Sequence, residues 1–392
     1  MVTRLDVRRV QLRRYRSIVT CDVRLGPLTM LVGPNGSGKS NFLDALRLTA
    51  QALDENLDNA LRERGGVGEV RRRSRRSTSL GIRIDFVIDN DALVGHYAFQ
   101  VAVTGDGDYR VSREQCRVGV VDDEFDFFDV RNGELAGSTQ RVMPPAVSDR
   151  LFLASAAGID VFRPVFDGLS TITVYNISPD AMRRPQKPET GDLLRRDGSN
   201  VASVIGRLRR ERPAAKERIV QYLSRIVSGI IDVDRKTLPG WEVIEFRQEI
   251  GNDPHPWRFP GSSMSDGTLR ALGVLVALFG GTTALAGPVG IEEPESALHP
   301  AAAGLLLDAL RDASEARQVL VTTHSPDLLD SPMIRPEELL AVRAVDGVTA
   351  IGKVDDAGHK AIKESLFTPG ELLRVDQLTP SRESSQHPEL FS

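Results

Sequence analysis

Four short stretches of this chain hold residues whose types and spacing could do chemistry, and all four concern phosphate. The first is GPNGSGKSN, running through Gly33, Pro34, Asn35, Gly36, Ser37, Gly38, Lys39, Ser40 and Asn41. Glycines there let backbone N–H groups curl around phosphates, and a helix starting at this point turns its positive end toward them. Lys39 would then reach the β- and γ-phosphates of ATP, and the Ser40 hydroxyl would ligate Mg2+. The second stretch is VGIEEPE, an apolar run ending at Ile291 and followed by Glu292 and Glu293. Glu292 would hold the metal through water, and Glu293 would act as general base on the attacking water. A solvated acidic loop is the plainer reading, but TTHS (Thr322 to Ser325) ends a similar buried run. Its His324 would contact the γ-phosphate and help hold the water. The fourth stretch, SMSDGTLR, opens a helix with Ser265, Asp266 and Gly267, another anion-binding N-terminus. Alone, SDGT is a common turn-and-cap sequence; its place between the other motifs favours phosphate.

These residues need strands and helices to hold them. Residues 4–31 read as two strands, the second an apolar run, Leu28 to Val32, leading into the glycine loop. Phe42, Leu43, Leu46, Leu53 and Leu57 keep helical spacing after it. Residues 80–135 change to alternation with period two, broken by turns such as Gly105-Asp106-Gly107-Asp108, which predicts an antiparallel meander. Residues 136–190 read as irregular. Ser199 to Ser228 is helical and broken at Pro213, and WEVIEFRQ (Trp241 to Gln248) is a strand. A helix to Phe279, a second over Ala301 to Leu310 and a buried strand at Gln318 to Thr322 complete the pattern. The expectation is an α/β fold with a mixed core sheet, a β meander and a short helical insertion. Its boundaries are a nucleotide-binding lobe 1–135, an insertion 136–235, a second lobe 236–378 and a polar tail 379–392.

Composition narrows the classes. The 392 residues are ample for a core, and 41% hydrophobic with 27% charged is ordinary globular usage. A net charge of −4 excludes a generally basic nucleic-acid coat but permits a local basic face. Of the 50 basic residues, 43 are Arg, which a GC-rich genome explains as readily as phosphate recognition. Cys21 and Cys116 form no CxxC, and the opening MVTRLDVRRVQLRRYR has no apolar segment of a secretory signal. The expected setting is the reducing cytoplasm. Ala271 to Ile291 carries no charge, yet its glycines and its place between two motifs predict a buried helix, turn and strand rather than a membrane span.

The chain resembles the ABC-type ATPases of the RecF, SMC and OLD group, most of all the bacterial RecF-like AAA-family ATPases. The likeness rests on RRVQLRRYRSI, GPNGSGKSNFLDAL, SSMSDGTLR, GIEEPESALHP and VLVTTHSPDLLD. It implies an ATPase head that closes as a homodimer on ATP. Ser265 to Gly267 would cap the γ-phosphate bound to the opposite subunit, and Ser296 to His299 would form the D-loop at the interface. Glu292 stands where the wider superfamily usually has Asp. Gln100 and Gln115 are the candidates for the Q-loop glutamine. The group further implies DNA repair or chromosome maintenance, with double-stranded DNA as partner. The alternative is a nucleotide-gated switch controlling a separate effector in a defence or toxin system. A transporter ATPase fits less well, since its signature more typically reads LSGGQ.

Ser40 and Ser265 lie 225 residues apart with no sustained heptads, so a compact head is expected rather than a coiled-coil arm. Only 68 residues follow His324, with no DxD, so any nuclease is expected to act in trans. Two basic clusters could meet DNA phosphates: Arg4, Arg8, Arg9, Arg13, Arg14 and Arg16, and the denser run from Arg62 and Arg64 through Arg71, Arg72, Arg73, Arg75 and Arg76. A solvated face with salt bridges explains them equally well, and no interleaved aromatics suggest single-strand stacking.

Overall fold

The computed structural model describes every residue except 1–2, 73–78, 90–91, 105–106, 122, 252–254, 282–284, 382–388 and 392. Parts of the meander turn, of the second basic run (Arg73, Arg75 and Arg76) and of the polar tail therefore lie outside the described residues.

Among the described residues, five parallel strands form one end of a fourteen-stranded sheet, in the order Thr173–Tyr175 at the edge, then Val289–Glu292, Val319–Thr323, Leu28–Val32 and Leu339–Val345. Their apolar runs do not alternate with polar residues because both faces are covered. Leu31, Leu320 and Val342 enter one hydrophobic core with the helix Lys39–Asp54. Met30, Val32, Val321 and Ala341 enter the other, with the helices Asp266–Phe279 and Ala303–Ala316. The helix Lys39–Asp54 after the glycine loop (the P-loop) and the helix Asp266–Phe279 opened by SMSDGTLR (the signature) thus lie on opposite faces of the same strands.

Beyond Leu339–Val345 the sheet turns through the hairpin strand Val348–Lys353 to Ile18–Arg24 and the long strand Thr3–Tyr15. The meander Ser79–Ile88, Leu93–Val103, Tyr109–Gly119, Asp126–Arg131 and Glu134–Ser138 follows without a break. The opening segment therefore holds three strands, not two. The insertion is helical at Val201–Glu211 and Pro213–Ile226, with the break at Pro213, and packs on a separate sheet of Ile230–Leu238, Trp241–Gln248 and Trp257–Pro260. The charge-free stretch after Arg270 is a buried helix followed by the strand Val289–Glu292. Among the described residues no helix is long and apolar enough to cross a membrane.

One carboxylate joins the meander to the rest. Glu114 is fully buried and accepts hydrogen bonds from Phe152 N at 2.5 Å, Leu153 N at 2.8 Å and the Tyr97 hydroxyl at 2.9 Å. Burial pushes its carboxyl up to about 7. A folded-state value above the unfolded one means that folding favours the proton. The linked stability is full below about pH 4.5 and is lost as pH rises through about 7. Glu114→Ala is expected to cost about 3 kcal/mol by removing three buried bonds. Urea denaturation should show a larger loss at pH 5 than at pH 8; an equal loss at both would contradict the assigned titration.

Candidate functional site

The strand Leu28–Val32 delivers the chain into Gly33, and the helix Lys39–Asp54 carries it away. The loop between them is shaped from behind. A β-carbon on Gly33 would lie 2.0 Å from Val342 O, and one on Gly38, whose φ is 102°, would lie 2.2 Å from the Thr349 hydroxyl. Thr349 Oγ1 donates to Ser37 O at 2.8 Å and accepts from Ser17 Oγ at 2.7 Å; Asn41 Nδ2 donates to Ser17 Oγ at 2.6 Å. The Thr349 hydroxyl has one proton, so the chain of donors runs from Asn41 through Ser17 and Thr349 to the loop. Asn41 thus turns its amide to Ser17, away from the glycine loop. Lys39 folds back, its Nζ donating to Gly33 O at 2.8 Å and Pro34 O at 2.9 Å. Burial holds its ammonium below the ordinary lysine range, opposed by Glu293 and Glu295. Pro34, Asn35, Gly36 and Ser40 are exposed, whereas the Ser37 hydroxyl is buried without a hydrogen-bond partner.

The sheet register brings the other motifs to this end. Glu292 pairs with Thr322, and Thr322 with Leu31, so Glu293, His324 and Gly33 all emerge just past the carboxyl ends of adjoining strands, where ligands of parallel α/β sheets gather. Gly33 N donates to Thr323 O. Glu293 has a left-handed backbone, φ 45°, held by its N–H donating to Thr322 O at 3.0 Å. Its Oε1 lies 3.1 Å from His324 Nδ1. That is ion-pair distance without hydrogen-bond geometry, since Nδ1 has no hydrogen-bond partner.

Sequence reasoning missed three contacts here. Arg270, from the signature helix, donates to the carbonyl oxygens of Ile177 at 2.9 Å, Glu293 at 3.1 Å and Glu292 at 3.3 Å. Glu295 accepts from the Thr323 hydroxyl at 2.5 Å, and burial pushes its carboxyl up. Arg196 Nη2 lies 2.9 Å from Glu292 Oε1. Arg196 comes from the short stretch between the irregular residues 136–190 and the helix expected from Ser199, where nothing marked it. Arg270 stood inside a quoted motif with no role assigned.

Ser265 caps its own helix: its Oγ accepts from Thr268 N at 3.1 Å. Asp266 pairs with Arg183, and a β-carbon on Gly267 would lie 2.5 Å from Ala297 O. The signature thus abuts the Ser296 to His299 turn of its own chain. Among the described residues no hydrogen bond or ion pair joins it to the P-loop. The Q-loop candidates need correction. Gln100 and Gln115 sit within the meander strands Leu93–Val103 and Tyr109–Gly119, where Gln115 meets His96 at 3.2 Å. The strand beside Val289–Glu292 is Thr173–Tyr175, and Asn176 follows it.

Ser40 and Glu292 offer the hydroxyl and carboxylate oxygens that Mg2+ prefers. Among the described residues no cluster of three or more His, Cys, Asp or Glu could hold a metal ion. Beside the P-loop, a cleft of about 280 Å³ is lined by Arg16, Ser17, Glu69, Arg71, Arg72 and Gly347. The basic clusters are largely paired: Arg4 with Asp6, Arg9 with Asp22, Arg16 and Arg64 with Asp44, and Arg62 with Asp58.

Gly38→Ala is expected to lower the thermal midpoint through the clash with Thr349 and the positive φ, about 1 kcal/mol for the latter alone. Adding Thr349→Ala should recover part of that loss. Strictly additive losses in the double variant would contradict the contact.

A family model described as "AAA domain, putative AbiEii toxin, Type IV TA system" matches residues 28–96 and 181–330, more than half of the chain. An OLD nuclease of Thermus scotoductus is 45% identical over 42 residues, 11% of this chain and 8% of that protein. The DNA replication and repair protein RecF of Magnetococcus marinus is 45% identical over 47 residues, 12% of each. The matches therefore span only about a tenth of those relatives. Among solved structures, an Smc head bound to the C-winged helix domain of ScpA aligns with TM-score 0.58 and 15% identity, over 90% of this chain and 99% of that one. The Smc head domain with an extended coiled coil from Pyrococcus furiosus aligns with TM-score 0.54 and 15% identity, over 92% and 99%. These share the fold. The chain belongs to the AAA-domain family whose model it matches, has the fold of Smc heads, and is similar over short stretches to RecF and to an OLD nuclease.

Proposed function

We propose that this head binds ATP with Mg2+ and hydrolyses it between two copies of the chain. The carrying observation is the convergence of Lys39, Glu293 and His324 at one end of the parallel strands, with His324 Nδ1 3.1 Å from Glu293 Oε1. Phosphates entering the 33–38 loop would draw the Lys39 ammonium from the carbonyl oxygens it now bonds. Ser40 and Glu292 would hold Mg2+, which when bound neutralises charge on the β- and γ-phosphates. Glu293 would take the proton of the attacking water, and His324 would hold that water in line. Arg270 would keep both glutamates in place through their carbonyls. The arginine cleft beyond Asn41 would receive the α-phosphate side of the nucleotide.

Ser265, Asp266 and Gly267 would serve the nucleotide of the second copy in a two-fold arrangement. The Ser296 to His299 turn pressed on Gly267 would cross that interface. Double-stranded DNA is the proposed partner, supported by a relative named for DNA replication and repair. The cytoplasm is the proposed compartment; Cys21 and Cys116 are both free and buried. A second reading, a nucleotide-gated switch acting on a separate effector, is supported by the family description, which names a toxin–antitoxin system.

Lys39→Ala should weaken ATP binding at least a hundredfold by calorimetry, and unchanged affinity would remove the P-loop assignment. Glu293→Gln should keep ATP, lose roughly a hundredfold or more in turnover, and sediment as a dimer with ATP. Wild-type turnover in that variant would exclude the base. For the partner, steady-state ATPase with and without linear duplex DNA decides: stimulation supports the DNA reading, and indifference moves the search to a protein effector.

A further inference from the structure

The carboxylate proposed to hold the metal already has a cation on it. Arg196 Nη2 lies 2.9 Å from Glu292 Oε1, on a glutamate whose side chain is only 14% exposed. A nearly buried carboxylate without a counter-charge is costly, so the guanidinium stabilises Glu292 while no divalent ion is there. The two cations oppose each other at that carboxylate: a guanidinium 2.9 Å from Oε1 repels a divalent ion held by the same group, directly or through water.

Arg196 is built to leave. Its backbone is fixed, since Asn176 N donates to Arg196 O at 3.0 Å and Gly198 N to Arg195 O at 2.9 Å. Its side chain is 44% exposed, which leaves open space for another rotamer. The same arginine lines a cavity of about 460 Å³ whose wall also carries Asp54, Glu55 and Glu63. Arg47 lines it too and stands close enough for its guanidinium to be disfavoured by Arg196. The cavity thus offers three carboxylates to a side chain released from Glu292, while Arg47 opposes crowding of positive charge beside the P-loop helix.

We propose that Arg196 is a latch on the metal site. Seated on Glu292 it neutralises the carboxylate and weakens its pull on a divalent cation; turned into the cavity, it restores the full charge of Glu292 to a cation arriving with the nucleotide. The latch makes cation entry compete with an internal ion pair and sets how much Mg2+ is needed to bind ATP. This rests on the proposed role of Glu292.

The test is the affinity of a fluorescent ATP analogue as a function of Mg2+ concentration, with Mn2+ binding followed by electron paramagnetic resonance. Arg196→Gln should lower the cation concentration at half-effect about fivefold, the scale of a partly exposed ion pair, with melting temperature within a few degrees of wild type. Arg196→Lys, which keeps the charge, should stay near wild type. An unchanged cation requirement in Arg196→Gln overturns the latch, as does a higher one, which would make Arg196 a ligand of the nucleotide. If wild type binds no analogue at any Mg2+ concentration, the ATPase reading itself fails, and Mn2+ binding to the protein alone still decides whether Arg196 guards Glu292.

Discussion

The site depends on a close approach between two pieces of backbone. Gly33 lies so near the carbonyl of Val342 that no side chain fits between them, and Gly38 is pressed as closely on Thr349. The glycine loop is therefore moulded against the hairpin of Leu339–Val345 and Val348–Lys353, more than three hundred residues away in sequence. Phosphate cradles need glycine for their donors to point inward. Here the same glycines are also required by the wall behind. Preorganisation of this kind means the loop holds its curve before any phosphate arrives, so that less ordering remains for the binding step.

The parallel register then decides which other groups can join the loop. Because Glu292, Thr322 and Leu31 stand side by side, the residues just beyond them reach one edge without a flexible connection. A one-residue slip in the Val289–Glu292 strand would turn Glu293 to the other face. Arg270 resists such a slip by bonding both glutamate carbonyls from the signature helix. The helix that carries the motif proposed to face a second molecule is thus mechanically tied to the proposed general base.

Much of this was legible in the sequence. The P-loop, both acidic residues, His324, the meander and the break at Pro213 are local patterns, and local patterns survive folding. What escaped was set by distance. Thr173–Tyr175 is three residues long, too short for periodicity to show, and only its pairing with Val289–Glu292 gives it meaning. The Asp346-Gly347 turn, flanked by alternating apolar residues, carried a hairpin signal that could have found the wall behind the P-loop. Gln100 and Gln115 looked suitable by residue type alone, but their alternating surroundings belong to the meander. Arg196 had no signal, because an ion pair across 96 residues leaves no trace in spacing.

Glu293 occupies a region of backbone space that suits glycine or asparagine and penalises other residues by about 1–2 kcal/mol. Replacing it with glycine would relax the turn and raise the stability of the folded chain. A protein drifting toward stability alone would therefore lose this carboxylate early. A carboxylate standing at a strained position is a physical argument, independent of any likeness, that the side chain does work the fold does not need.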